Sequence, residues 1–212
     1  IEVMDTWQII ITVMMGVGLS AACGFRIFIP PLIIAIAHKA KMADLLGTDF
    51  AWMSSDVALA IFALAAVLEV CAYYIPWLDN ALDSIAAPAA VVAGTVMSAA
   101  VFGDMNPVLK WTLAAIAGGG AAGAVQLTTT VTREASSMFT GGTANWLVST
   151  AEGVGAVLVT LLAIVASVLV FIGFLIFMGF VVYKNPIKMY REWDERNAPE
   201  GPLKEPPVLS SS

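Results

Sequence analysis

The chain has 212 residues, of which 59% are hydrophobic and only 12% charged, and its mean hydropathy is +0.87. A soluble domain of this size carries about twice that share of charge, so the composition points to an all-α integral membrane protein. The short alternating segments of a β-barrel are absent, and a net charge of −6 argues against nucleic acid as a partner.

The first apolar run extends from Trp7 to about Ala37, too long for one upright span. Glu2 and Asp5 flank it and no basic residue precedes it, so it reads as a retained helix rather than a signal peptide. Within it, Gly16, Ser20 and Gly24 share a small-residue face, and Arg26 interrupts the apolar sequence just before Pro30 and Pro31. A proline cannot donate a helical hydrogen bond and displaces its predecessor from the α region. The expected break therefore lies at Pro30–Pro31, after a helix over 7–29. A polar loop with His38, Lys39, Lys41, Asp44 and Asp49 follows.

The second span, about 52–75, contains Glu69 and closes on an aromatic girdle, Tyr73, Tyr74 and Trp77. Asp79 and Asp83 make the next loop acidic. The third span, 85–102, places Ala90, Gly94 and Ser98 at i, i+4, i+8, a face that lets helix backbones approach. Asn106 and Pro107 make an N-cap and first helical position for the fourth span. That helix holds a glycine–alanine block and ends in the polar set Gln126, Thr128, Thr129, Thr130 and Thr132, with Thr128 a candidate break. Residues 132–145 read as a loop or re-entrant piece, with Arg133 beside Glu134. The fifth span starts near Trp146, carries Glu152 and stays apolar to Tyr183. Residues 184–197 read as a juxtamembrane interfacial helix and 198–212 as a Pro-rich disordered tail.

The order of features repeats. Gly18, Ala21, Ala22 and Arg26 align with Gly118, Ala121, Ala122 and Gln126, and each small-residue helix is followed by a Trp-led one at Trp52 or Trp146. This predicts two units, about 7–75 and 107–183, with 85–102 as a linking helix, all inside a transmembrane domain over 1–183. Lys39, Lys41, Lys184, Lys188 and Arg191 follow spans one and five, which suggests five spans with the N-terminus outside and the C-terminus cytoplasmic. An odd number of crossings between the units makes the repeat an inverted one with broken helices, an architecture of secondary transporters.

The motif around Gly18, Ser20, Cys23, Gly24, Phe25, Arg26 and Pro30, with Glu69, Pro76, Asp79 and Asp83 further on, resembles the bacterial membrane family known as domain of unknown function 4126. The resemblance implies a multi-pass protein of the bacterial cytoplasmic membrane. It implies no activity and no catalytic residue.

An arginine within a span is costly by about 2.5–3.5 kcal/mol on insertion scales and often marks a pathway; the alternative is a snorkelling anchor near the headgroups. Glu69 and Glu152 form a candidate ion-attracting pair, against simple wetting at the interface. Gln126 with its threonines is a candidate coordinating group, against hydroxyls bonded to their own helix. A direct Arg26–Glu69 bridge is not expected, since the five-span topology sets the two at different depths. Cys23 and Cys71 read as small core residues. With one histidine, and no zinc, P-loop or G-x-S-x-G motif, no enzyme activity, metal or cofactor is expected. Two readings remain: a transporter or channel for a small solute or ion, with candidates Arg26, Glu69, Gln126 and Glu152, or a non-catalytic assembly subunit. Membrane lipids, further copies of the chain or another membrane protein are the expected partners.

Overall fold

The computed structural model describes residues 6–72, 75–103, 105–140 and 144–184. The expected interfacial helix over 184–197 beyond Lys184, the tail and the girdle residues Tyr73 and Tyr74 lie outside them, as do the side chains of Trp77, Asp79 and Asp83. Among the described residues every regular element is helical. The order is α1 (Thr6–Phe25), α2 (Ile29–Lys39), a 3-10 turn (Thr48–Ser54), α3 (Asp56–Ala72), α4 (Pro76–Val101), α5 (Pro107–Leu113), a π-helical segment (Ala114–Gly119), α6 (Gly120–Thr140), α7 (Asn145–Val165) and α8 (Ser167–Lys184). Residues up to Leu175 form one compact unit, and the end of α8 belongs to a second.

Three helical stretches are long and apolar enough to cross a membrane: Trp7–Phe25, Pro107–Thr140 and Asn145–Val165. A fourth arises if the Thr48–Ser54 turn and α3, bent by 66°, count as one broken span. The apolar part of α4, Ile85–Val101, is shorter.

The centre of the unit is made by α1, α4 and α6, and small residues set their spacing. A Cβ at Gly94 would overlap the Ala122 Cβ and lie 3.0 Å from the Gly118 carbonyl oxygen. A Cβ at Gly24 would meet the Ala122 carbonyl oxygen at 2.5 Å. Hydroxyls tie the same contact: Ser20 Oγ donates to the Gly94 carbonyl at 2.6 Å and Ser98 Oγ to the Gly16 carbonyl at 3.0 Å. Ala90 and Ser98 are fully buried in this contact region. Without a hydrophobic drive between helices in lipid, such close backbone approach is the main cohesive contribution.

The break after α1 falls at 26–28, upstream of the prolines, which instead open α2 from its first turn. The reason is geometric. In a continuous helix Pro30 and Pro31 would have to bond the carbonyls of Arg26 and Ile27; they have no N–H, and their rings collide with those carbonyls.

From the break α2 turns back. Gly47, just beyond it, donates to the Ala100 carbonyl at 2.8 Å, and a Cβ at Gly16 would overlap Phe102. The loop with Lys39 and Lys41 therefore lies back toward the half of α1 that holds Gly16, on the side of the break where α1 starts. The five-span topology had put those two on opposite sides. This return leg also changes the direction of the second glycine–alanine helix. Ser20 and Gly118 flank Gly94, while Gly24 meets Ala122 and Val125, so residue numbers rise together along α1 and α6. Helix α7 runs against both: Phe25 faces Gly155, Gly18 faces Ala163, and Arg133 meets Glu152. The two small-residue helices are parallel, not opposed as the inverted repeat required.

Three further expectations change. Residues 132–140 continue α6 and are not a loop. Thr128 sits inside that helix rather than at a break, with Thr128 Oγ1 donating to the Ala124 carbonyl at 2.9 Å. Cys23 is buried, but Cys71 is exposed.

Candidate functional site: a buried arginine–glutamate cluster at the helix break

Arg26 is the first residue of the break and is buried. Its Nη2 donates to the Ser149 carbonyl at 2.8 Å and to Ser149 Oγ, and lies 3.3 Å from Glu152 Oε2. It does not snorkel. The antiparallel packing of α1 on α7 brings Ser149 and Glu152, nearly one turn apart, onto the guanidinium together.

Arg133 reaches the same carboxylate from α6. Its Nε donates to Glu152 Oε1 at 3.0 Å and its Nη2 lies 3.0 Å from Oε2, a two-point fork. Both arginines and Glu152 are buried. The sequence hides Arg133 because the polar, glycine-bearing stretch 132–145 that holds it reads as a loop or re-entrant piece. Its one visible signal was spacing: Arg133 lies seven residues after Gln126, about two turns further along the same face.

Glu69 closes the break from the other side. Its Oε1 accepts from the Ile27 N–H at 2.8 Å and its Oε2 from the Phe28 N–H at 3.1 Å. These are amides that the interrupted helix leaves without carbonyl partners, and they form the amino end of α2, where a carboxylate is favoured. The depth arithmetic that separated Glu69 from Arg26 fails because α2 returns, which brings Glu69 and Glu152 to the level of Arg26. The two carboxylates do not form a pair. Among the described residues, Glu152 serves the guanidinium groups and Glu69 the backbone at one break.

Gln126 is buried beside this region and donates to Thr130 Oγ1 at 3.3 Å. Thr129 Oγ1 donates back to the Gln126 carbonyl and Thr132 Oγ1 to the Thr128 carbonyl, so these hydroxyls serve their own helix. Because α1 and α6 are parallel, Gln126 stands near the level of Arg26 and not in the opposite half.

At the other end of the molecule a buried Lys110 Nζ donates to Asp49 Oδ2 at 2.8 Å and stands 5.8 Å from the centre of the Phe50 ring. Phe50 in turn lies 6.3 Å from Trp111. These contacts pin the Thr48–Ser54 turn to α5, as the Lys39–Asp56 pair ties the end of α2 to the start of α3. His38 Nδ1 lies 3.5 Å from Asp44 Oδ1 on an open polar cleft of about 380 Å³.

The family described as "Domain of unknown function (DUF4126)" matches residues 13–185, a segment that takes in most of α1, all of α2 to α8 and every residue of the cluster. The chain belongs to this family. No curated protein and no solved structure matches it. For this DUF4126 chain the side chains themselves therefore carry the functional argument: charged groups from α1, α3, α6 and α7 meet at one interrupted helix.

Proposed function

We propose that this protein is a small transporter or channel of the bacterial cytoplasmic membrane, with the arginine–glutamate cluster as its site and a small anion as its cargo. The observation that carries the reading is Glu152 held between Arg26 and Arg133 next to a broken helix. Ionisable groups at membrane depth are expensive, and in membrane proteins they commonly mark a solute or ion pathway. Irregular backbone persists there only when buried in protein or lining a cavity.

The chemistry follows from the partners. An entering carboxylate or inorganic anion takes the place of Glu152 on the Arg26 guanidinium, while Arg133 keeps Glu152 through its two-point fork. Exchange of one anion for another avoids a stage at which a buried guanidinium stands alone. Helix α3, holding the break through Glu69, is the element whose movement admits the solute. Positive charge at Lys39 and Lys41 supports a cytoplasmic side for that loop and for the start of α1.

The test is anion flux into liposomes containing the purified protein. Flux is expected for the natural chain, reduced for Arg26→Lys and abolished for Arg26→Gln, with unchanged elution in size-exclusion chromatography. Absence of flux for both inorganic and small carboxylate anions through well-folded natural protein overturns the reading.

A second reading has its own support. The cluster's groups engage one another across three helices, as a staple does, and the Gly94 region is tightly packed, so the chain also suits a non-catalytic assembly subunit. On that reading the purified protein carries a foreign membrane subunit, and Arg26→Lys and Arg26→Gln affect assembly alike.

A further inference from the structure

We propose that the groove behind α3 holds one hydrocarbon chain of a bilayer phospholipid, at an apolar site that adjoins the helix break through Ile27 and Phe28. Helix α3 lies along α2 and the Thr48–Ser54 turn but barely meets α4. The space left between α3 and α4 is a groove of about 570 Å³. Among the described residues every one that lines it is apolar, with Phe28, Trp52, Phe62, Pro88 and Val96 among them.

Two observations identify the occupant. The first is continuity with the lipid-facing surface. Trp52, Ile85 and Val92 line the groove and are yet each more than half exposed, so its mouth is level with the exterior. On α3, Ile61, Leu64, Val67 and Leu68 are likewise more than half exposed, so the helix flanking the mouth itself stands in hydrocarbon. The second is length. The α4 wall runs from Ile85 to Met97, about 18 Å at the rise of a helix, a little more than half of the roughly 30 Å hydrocarbon core. A slot one leaflet deep, apolar throughout and open sideways, accepts an acyl chain that stays attached to a headgroup in the interface. Water gains no hydrogen bond there, and an empty slot forfeits dispersion contacts along both walls.

The anchoring of α3 fits this use. It is held near its ends, by Glu69 on the break and by the Lys39–Asp56 pair, and between them Phe62 faces the groove.

The experiment places the full chain in nanodiscs of a phospholipid whose acyl chain carries a diazirine, followed by irradiation and peptide mapping. Adducts are expected on 52–62 and 85–97 at several-fold the yield on Leu158, Leu161 and Leu162 of α7, which are exposed to bulk lipid. Ala93→Phe, which fills the groove, should remove that excess. Should Ala93→Phe fail to fold, Val92→Trp closes the mouth from the lipid side, where packing is not at stake, and carries the same expectation. Equal yields in the groove and on α7, an excess that survives a folded filled or closed variant, or cross-links from the groove to a second copy each overturn the proposal.

Discussion

Helices α1 and α6 begin alike and end differently. Both lay small residues against α4, Gly16 and Ser20 from one and Ala122 and Gly123 from the other, run in the same direction, and have an arginine at or beyond that face that reaches Glu152. Yet α1 stops at Phe25, while α6 passes through Gln126 and Arg133 to Thr140 without interruption. The small-residue face therefore decides which helix packs where and leaves its length undecided. Length is set downstream. Pro30 and Pro31 withhold two hydrogen bonds from α1, whereas on α6 Thr128 and Thr132 add side-chain bonds to carbonyls within the helix. A consequence is that only the α1 arginine stands at open backbone, and only that backbone needs Glu69.

The contrast breaks most severely at the carboxylate the two helices share. Glu152→Ala leaves two buried guanidinium groups without it, and loss of one partner of a buried ion pair costs about 3–5 kcal/mol. Collapse of the monodisperse peak in size-exclusion chromatography is expected, with recovery when Arg26, Arg133 and Glu152 are all replaced by methionine. Gly94→Leu comes next, because its side chain would displace Ala122 and the Gly118 backbone together; overpacking of this kind costs about 1–3 kcal/mol. A lower midpoint in thermal unfolding in detergent is the readout, and an unchanged midpoint would place α4 away from the other two helices.

Glu69→Gln separates the two helix ends. It keeps the shape and removes the charge that holds the Ile27 and Phe28 amides, at about 1 kcal/mol by analogy with capping residues. Hydrogen exchange should quicken at those amides and stay unchanged along 126–133 of α6. Smallest of all is Thr128→Val, whose hydroxyl serves only its own helix. Its effect should stay within about 0.5 kcal/mol, and a larger loss of stability would show that α6 relies on its threonines as α1 relies on Glu69.

Arg26 and the two glutamates could be picked from the sequence because charge inside an apolar run is conspicuous. Arg133 could not, since Thr132, Glu134 and the polar residues that follow give 132–145 the polarity of a loop. Helix direction was illegible for a different reason. Hydropathy measures how apolar a stretch is and carries no sign, so the short apolar piece after Pro30–Pro31 shows a break but not that the chain turns back along α1. The proline pair did announce an interruption; its location four residues upstream emerges only from tracing which carbonyls lose their donors.

The π-helical segment at Ala114–Gly119 has a consequence for register. A π turn accommodates one residue more than the α turn it replaces, which rotates α5 by about 100° around the axis relative to α6. Lys110 and the glycines facing α4 thus belong to two different phases of one continuous rod. Removing a single residue there, such as the outward-facing Ile116, would restore ordinary winding. It would also turn Lys110 away from Asp49 while Ala122 and Arg133 kept their places. In that sense the segment works as a frameshift written in three dimensions, letting one helix satisfy two partners whose spacing no uniform screw could match.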